Sequence, residues 1–337
     1  MRIAYLITAN NNPLYEGNFQ INGKYLSFGQ HSFIYDLVLA IKSSNIDIEF
    51  YIDGLDVFPL NTILTNLNIP IYELTGNSRI DTDIILFDTV ADNLLVGNYR
   101  GYKIGVIHNY MNKHSELFYS ECDAIICMTP YAIEKQNVFY SSNKYHLIRQ
   151  GVYCNRFSPS PKSYNSRIES ALFYSRMDRY KGYAYNDIIK KIIDLGIDVS
   201  ILGAGEMFDF FKAYYYGKIN CLDHIPCHEI HKVINKFDLI VSNGRGVMEG
   251  MSANKPTIAV GLRYSGLITR DNILEHRDRN FTGAYMPDKP LNIEHDLSLI
   301  HSCYKYDELY FSNLARTYLN VNDFLDNLIK LKDNVYI

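Results

Sequence analysis

The chain contains no tryptophan, and its 337 residues include only six cysteines and ten prolines. The cysteines form no Cys-x-x-Cys pair and keep no regular spacing, which excludes a disulfide framework. Four of them, Cys122, Cys127, Cys154 and Cys221, sit in or beside apolar or aromatic stretches, where reduced core thiols are found. A reducing cytoplasm is therefore the expected location. No run of 18 apolar residues occurs, so no transmembrane helix is expected. The opening MRIAYLITANNN turns polar too early for a signal peptide and reads as a first buried strand. A strong excess of either charge is also missing: charged residues make up 21% and the net charge is -4. Residues 1–150 carry 10 Lys+Arg against 15 Asp+Glu, which argues against a nucleic-acid backbone or an anionic membrane as partner. The remainder, with 23 against 22, is the better home for a small anionic ligand.

What is present is ordinary globular composition, 47% apolar, on a chain long enough for two domains. The 29 tyrosines carry most of the aromatic content and point to an AT-rich coding sequence rather than to a function. Short β-branched runs alternate with helical periods. Residues 2–8, 47–52, 84–87, 103–108, 124–128 and 145–149 read as strands, and 31–44 as a helix with Phe33, Ile34, Leu37, Val38 and Ile41 on one face. Alternation of this kind implies a parallel sheet covered on both faces. The rhythm then restarts, with strands at 170–174, 200–202, 239–242 and 257–260 and helices at 185–195 and 229–237. Gly196 caps the first of these helices. Residues 157–166, with two prolines and four serines, form the natural linker. The expected fold class is α/β: two Rossmann-like, doubly wound parallel-sheet domains facing a central cleft at the strand C-termini.

Five places on this frame carry chemistry. Gly29-Gln30-His31 opens the first helix, where a glycine admits a ligand and the helix N-terminus favours an anion; a plain turn reads equally well. His108 ends an apolar strand at the edge where ligands bind, or is a histidine hydrogen-bonded there for structure. The run Ser175-Arg176-Met177-Asp178-Arg179-Tyr180-Lys181-Gly182 follows the first strand of the second half. Its Arg176 and Lys181 can converge on a diphosphate, unless the loop is merely solvated. Leu202-Gly203-Ala204-Gly205-Glu206 is only Gly-x-Gly. Phe208 stands where a dinucleotide fingerprint needs glycine, which excludes NAD and leaves a close-approach turn at Gly205. The last place runs from Ser242 to Ala259, a strand, a turn (Asn243, Gly244, Arg245, Gly246), a helix bearing Glu249, and a strand after Pro256. The turn's N–H groups suit phosphate oxygens, and Glu249 can accept from two ribose hydroxyls or simply complement the dipole.

Taken in order, these segments resemble retaining glycosyltransferase family 4, of the GT-B fold. The resemblance lies in Gly29, in His108-Asn109, and in the linker Gln150-Gly151-Val152-Tyr153 with Arg156-Phe157-Ser158-Pro159. It continues in Ser175-Arg176 with Lys181-Gly182, and in Glu249-Gly250-Met251-Ser252 with Pro256-Thr257-Ile258-Ala259. It implies an acceptor-side domain at 1–150, a nucleotide-sugar domain at 151–310, and a final helix at 311–337 crossing back onto the first domain. It further implies that Arg176 and Lys181 hold the donor diphosphate and that Glu249 binds the ribose. Gly29 would then lie beside the distal phosphate, His108 would contact the transferred sugar, and the loop His224-Ile225 would meet the base. It implies a nucleoside diphosphate sugar as donor, a carbohydrate or lipid-linked hydroxyl as acceptor, and a surface glycan or polysaccharide as product.

The resemblance implies neither cofactor nor metal, and His224, Cys227, His228 and His231 are interrupted by Pro226 with no second ligand pair. Asp81-Thr82-Asp83 precedes its strand rather than ending it. One position departs from the family pattern: a sugar-contacting glutamate eight residues before the ribose-binding one is Val241 here, with Asn243 and Arg245 the nearest polar residues. Gln150 and Tyr153 also stand where the family has Asn and Asp. A GT-B-type epimerase and a catalytically inactive nucleotide-sugar-binding protein are the alternatives.

Overall fold

The computed structural model describes residues 1–8, 20–21, 24–25, 29–53, 60–88, 90–108, 113–162, 167–222, 225–283 and 289–333. The chain divides into two compact units, Met1–Gln150 with Val321–Ile337, and Gly151–Asn320.

Unit 1 runs β1 (Arg2–Thr8), β2 (Gln20–Ile21), β3 (Lys24–Tyr25), α1 (Gly29–Ser43), β4 (Asp47–Asp53), α2 (Leu60–Asn66), β5 (Ile71–Glu73), β6 (Arg79–Asp88), α3 (Asp92–Leu95), β7 (Asn98–Ile107), α4 (Glu116–Glu121), β8 (Ala124–Cys127), α5 (Pro130–Phe139) and β9 (Tyr145–Leu147). Seven strands form one parallel sheet in the order β5-β4-β1-β6-β7-β8-β9. The strand β1 is buried from Ile3 to Thr8, as a strand covered on both faces must be. Because the chain winds from β1 through α1 to one side and resumes at β6 on the other, the order reverses between β1 and β6. The strand β6 is longer than the sequence suggests, and Asp81-Thr82-Asp83 lies inside it. The Asp83 carboxylate is taken by the Arg2 backbone N–H at 2.8 Å and by Lys332 at 2.9 Å.

Unit 2 continues with β10 (Ser170–Tyr174), α6 (Arg179–Asp194), β11 (Asp198–Leu202), α7 (Glu206–Tyr214), β12 (Ile219–Leu222), α8 (Ile230–Ile234), β13 (Leu239–Ser242), α9 (Arg245–Ser252), β14 (Thr257–Val260), β15 (Tyr264–Leu267), α10 (Ile273–Asp278), α11 (Ile293–Tyr306) and α12 (Tyr310–Tyr318). Its sheet has the order β12-β11-β10-β13-β14-β15. All pairings are parallel except the hairpin of β14 with β15. The reversal falls between β10 and β13. All eight residues of α9 are buried. Beyond its end Asn254 adopts φ +59 and ties three segments together, its amide donating to Ser160 O and Glu308 O at 2.8 Å while its carbonyl accepts from Tyr304 Oη. Asparagine tolerates this left-handed geometry better than most residues.

The helix α6 begins at Arg179, so Lys181 and Gly182 lie in a first helical turn and not in a loop. The chain returns to unit 1 at Val321, and α13 (Val321–Asp333) packs on α1. Phe324 meets Phe33 edge to face, with ring centroids 5.0 Å apart, and both are buried. Truncating a buried phenylalanine costs about 3–5 kcal/mol. Phe324→Ala therefore loosens α13 and lowers unit 1 stability by about that amount, to be read as a fall in the urea midpoint followed by far-ultraviolet circular dichroism.

Candidate functional site

In each unit the chemistry gathers where the strand order reverses, the place at which open α/β sheets bind ligands. In unit 1 the centre is Asp88, the last residue of β6 and fully buried. Its carboxylate accepts from Gln30 Nε2 and pairs with His108 Nε2, each at 2.9 Å, and it also accepts from the Tyr5 hydroxyl. Burial opposes its charge. The His108 charge, then hydrogen bonds from His108, Tyr5 and Gln30, outweigh burial and hold the carboxyl below the usual carboxylate range. His108 follows β7 with its side chain 22% exposed, and Phe33 of α1 stands edge-on to its ring at 5.4 Å. Gly29 is the first residue of α1. The anion beside that first turn is the protein's own Asp88, which the sequence reading did not single out. His31 is buried next along α1, and His114 is half-buried; burial lowers both from the ordinary histidine value, the former to about 4.

In unit 2, Arg176 and Lys181 do come together, around Asp178. Arg176 Nε donates to the Asp178 carboxylate at 2.9 Å, and Lys181 Nζ lies 3.4 Å from it and donates to Arg176 O at 3.2 Å. Lys181 is nearly buried, and that burial lowers its pKa against the pull of Asp178. The cluster keeps one net positive charge at the end of β10. On the adjacent strand β13, Ser242 donates to Tyr174 O, and the two-residue turn Asn243-Gly244 leads into α9. Gly244 has φ +53 and its N–H donates to Phe281 O at 3.1 Å. A Cβ at Gly246 would run into Ser242 Oγ, so only glycine lets α9 start this close to the strand end.

Glu249 is fully buried on α9. Arg156, also buried, donates from Nη2 to Glu249 Oε1 at 2.9 Å and from Nη1 to Cys227 O at 3.0 Å, with its guanidinium over the Phe157 ring. Tyr174 is hydrogen-bonded to the same carboxylate, and burial followed by the Glu249 charge raises its phenol well above the ordinary value. Arg156 thus links Glu249 to the chain that follows Ile225. It entered the sequence reading only as part of a linker motif.

Val241, which departs from the family pattern, is fully buried inside β13, in the hydrophobic core. The connection from β13 to α9 is too short to bring it out. Arg245 is buried and donates to Gly151 O at 2.8 Å, holding the start of unit 2, with Nη2 4.0 Å from Glu249. Asn243 remains as the polar side chain of the turn. Gly205, at φ +129, does allow a close approach, but to the chain's own backbone: a Cβ there would lie 2.7 Å from Met177 O. Hydrogen bonds from Met177 N to Ala204 O and from Met207 N to Met177 O lock that contact. Ile225 packs partly buried against the core cluster that includes Leu172, Ile230 and Ile240, and His224 lies outside the described residues.

No protein family and no curated protein matches the sequence. Solved structures do match in fold, over nearly the whole chain. HepE of Anabaena, in complex with UDP and glucose, is 13% identical, with 99% of this chain and 100% of that one covered and a TM-score of 0.61. Sucrose-phosphate synthase of Thermosynechococcus elongatus is 11% identical over 99% of each chain, at 0.58. A Listeria monocytogenes protein assigned as a UDP-N-acetylglucosamine 2-epimerase is 10% identical over 99% of this chain and 96% of its own, at 0.55. The fold is that of the GT-B glycosyltransferases, two parallel-sheet α/β domains. Among the described residues no helix is long and apolar enough to cross a membrane.

The buried His31 sets a pH dependence of stability. Unfolded, its imidazole takes a proton near pH 6.5; folded, only at about 4. Between those values the unfolded state binds more protons, so stability falls as the pH falls through that window, by roughly 3 kcal/mol in all. Urea unfolding at pH 7, 5.5 and 4 is expected to show this slope, and His31→Gln to flatten it.

Proposed function

We propose that the chain is a glycosyltransferase that moves a sugar from a nucleoside diphosphate sugar to an acceptor hydroxyl. The observation that carries this reading is the pairing of Arg176 with Lys181 at the β10 end, beside the glycine-opened N-terminus of α9 on the adjacent strand. A departing diphosphate gains negative charge as the glycosidic bond breaks, and two fixed cations with a helix N-terminus stabilise that charge electrostatically. The GT-B fold and the UDP held by HepE support the same donor class. Glu249, held by Arg156, takes the ribose hydroxyls. Ile225 and His224 offer backbone groups to the base, and Gly205 shapes the loop that carries the cations. Gly29 stands beside the distal phosphate, and His108 meets the transferred sugar. With Val241 in the core, Asn243 is the side chain in unit 2 that takes over a sugar hydroxyl, and Arg245 supports the turn from below.

The resemblance to family 4 implies retention, no metal and no cofactor. It also implies a cytoplasmic setting, a carbohydrate or lipid-linked acceptor reached by peripheral membrane contact at most, and a role in surface glycan or polysaccharide synthesis. The Listeria neighbour keeps an epimerase as the second reading. Incubation with a panel of nucleotide sugars separates them: a transferase releases nucleoside diphosphate, by transfer or by slow hydrolysis, and an epimerase inverts a carbon of the sugar. Tight nucleotide binding with no turnover of any donor overturns both and leaves a binding protein.

Four variants probe the assigned roles. Arg176→Ala and Lys181→Ala each remove a charge-assisted contact worth about 1.5–3 kcal/mol. Titration calorimetry with the free nucleoside diphosphate is then expected to show about a ten- to hundred-fold loss of affinity. His108→Ala is expected to leave that affinity intact and to lower kcat, whereas Glu249→Ala weakens binding of ribonucleotides first. Wild-type turnover in His108→Ala would return the histidine to a structural role.

A further inference from the structure

Building on the transferase reading, we infer that Asp88 is a positioning residue. It holds a proton on Nε2 of the His108 ring, and so presents Nδ1 to a hydroxyl of the donor sugar as a hydrogen-bond acceptor.

The inference starts from what an ionised carboxylate can do. Asp88 is an acceptor only, so the His108 nitrogen 2.9 Å from it must be the donor. Gln30 and Tyr5 donate to the same carboxylate beside His108, and the three together leave it no freedom to rotate away in a fully buried place. The edge-on contact with Phe33 restrains the ring plane of His108. With the proton held on Nε2, the lone pair of the neutral ring sits on Nδ1, which has no hydrogen-bond partner among the described residues. The ring is part-exposed while Asp88 is not, so solvent and ligands reach the imidazole on the side away from the carboxylate. A nitrogen that can only accept discriminates: it holds a hydroxyl and gains nothing from a deoxygenated carbon or a carbonyl.

Asp88→Asn tests the assignment because the amide keeps the size of the side chain and reverses its polarity towards the ring. With the Asn carbonyl in the place of Oδ1 it accepts from Gln30, and the amide nitrogen in the place of Oδ2 donates one N–H to the Tyr5 oxygen and the other to Nε2, which drives the ring proton onto Nδ1. The expected result is a fall in kcat of roughly 10²–10⁴-fold, the range seen when a histidine is forced into the wrong tautomer. Nucleoside diphosphate affinity, which unit 2 supplies, stays unchanged. With a donor lacking the hydroxyl that His108 meets, wild type and Asp88→Asn turn over at the same low rate. The direct readout is ¹⁵N NMR of the His108 ring at neutral pH in the wild-type protein, which needs no variant to fold. An unprotonated Nδ1 is expected. A protonated Nδ1, as the other tautomer or as imidazolium, overturns the inference, as does Asp88→Asn with full kcat. If the wild type moves no sugar from any donor, the transferase reading fails, and a proton on Nε2 alone still upholds the tautomer.

Discussion

Parallel strand pairing is the constraint from which the rest of this molecule follows. A parallel pair needs a crossover between its strands, so each connection between parallel neighbours returns over a face of the sheet, and the C-termini of the parallel strands come out along one edge. Both sheets then reverse their winding in the middle, β1 against β6 and β10 against β13. At that reversal two successive loops diverge to opposite faces and leave a gap at the edge. Asp88, His108 and Gln30 stand at the first gap; Tyr174, Arg176, Asn243 and the start of α9 stand at the second.

Each gap is organised by one fully buried acid with an intact set of partners. In unit 1 the acid is Asp88, and its donors come from three different strands and helices. In unit 2 it is Glu249, with Arg156 and Tyr174. A charge out of water is costly unless it is paired and hydrogen-bonded, and removing one member of such a pair costs far more than the pair contributes. Both acids therefore act as fixed reference points: the groups around them have one good arrangement. Arg156 extends this to the loop at Cys227, and Phe33 extends it from His108 to α13.

Much of the frame was legible in the sequence because it depends on local periodicity. The strands 2–8, 170–174 and 239–242 are apolar runs of buried-strand length, and the face of α1 repeats at helical spacing. The cations Arg176 and Lys181 were legible because their meeting spans one loop. Asp88 was not. Its partners lie 83, 58 and 20 residues away, and nothing in the run Ile-Leu-Phe-Asp marks its last residue as ionised in a core. Arg156 and Glu249 are 93 residues apart and equally invisible as a pair. Gly203 and Gly205 looked like an opening for a ligand because glycine signals close approach without saying to what. Val241 misled for another reason: counting eight residues back from Glu249 assumes a loop of fixed length, and here the count lands inside a strand.

The interrupted composition of unit 1 sets an order on how the protein is made. Translation delivers β1 to β9 first, then the whole of unit 2, and only afterwards α13. While the ribosome is still adding unit 2, the face of α1 around Phe33 has no cover, and the ring that steadies His108 lacks its support from Phe324. Unit 1 thus closes its core over Phe33 only after residues 151–320 have been synthesised.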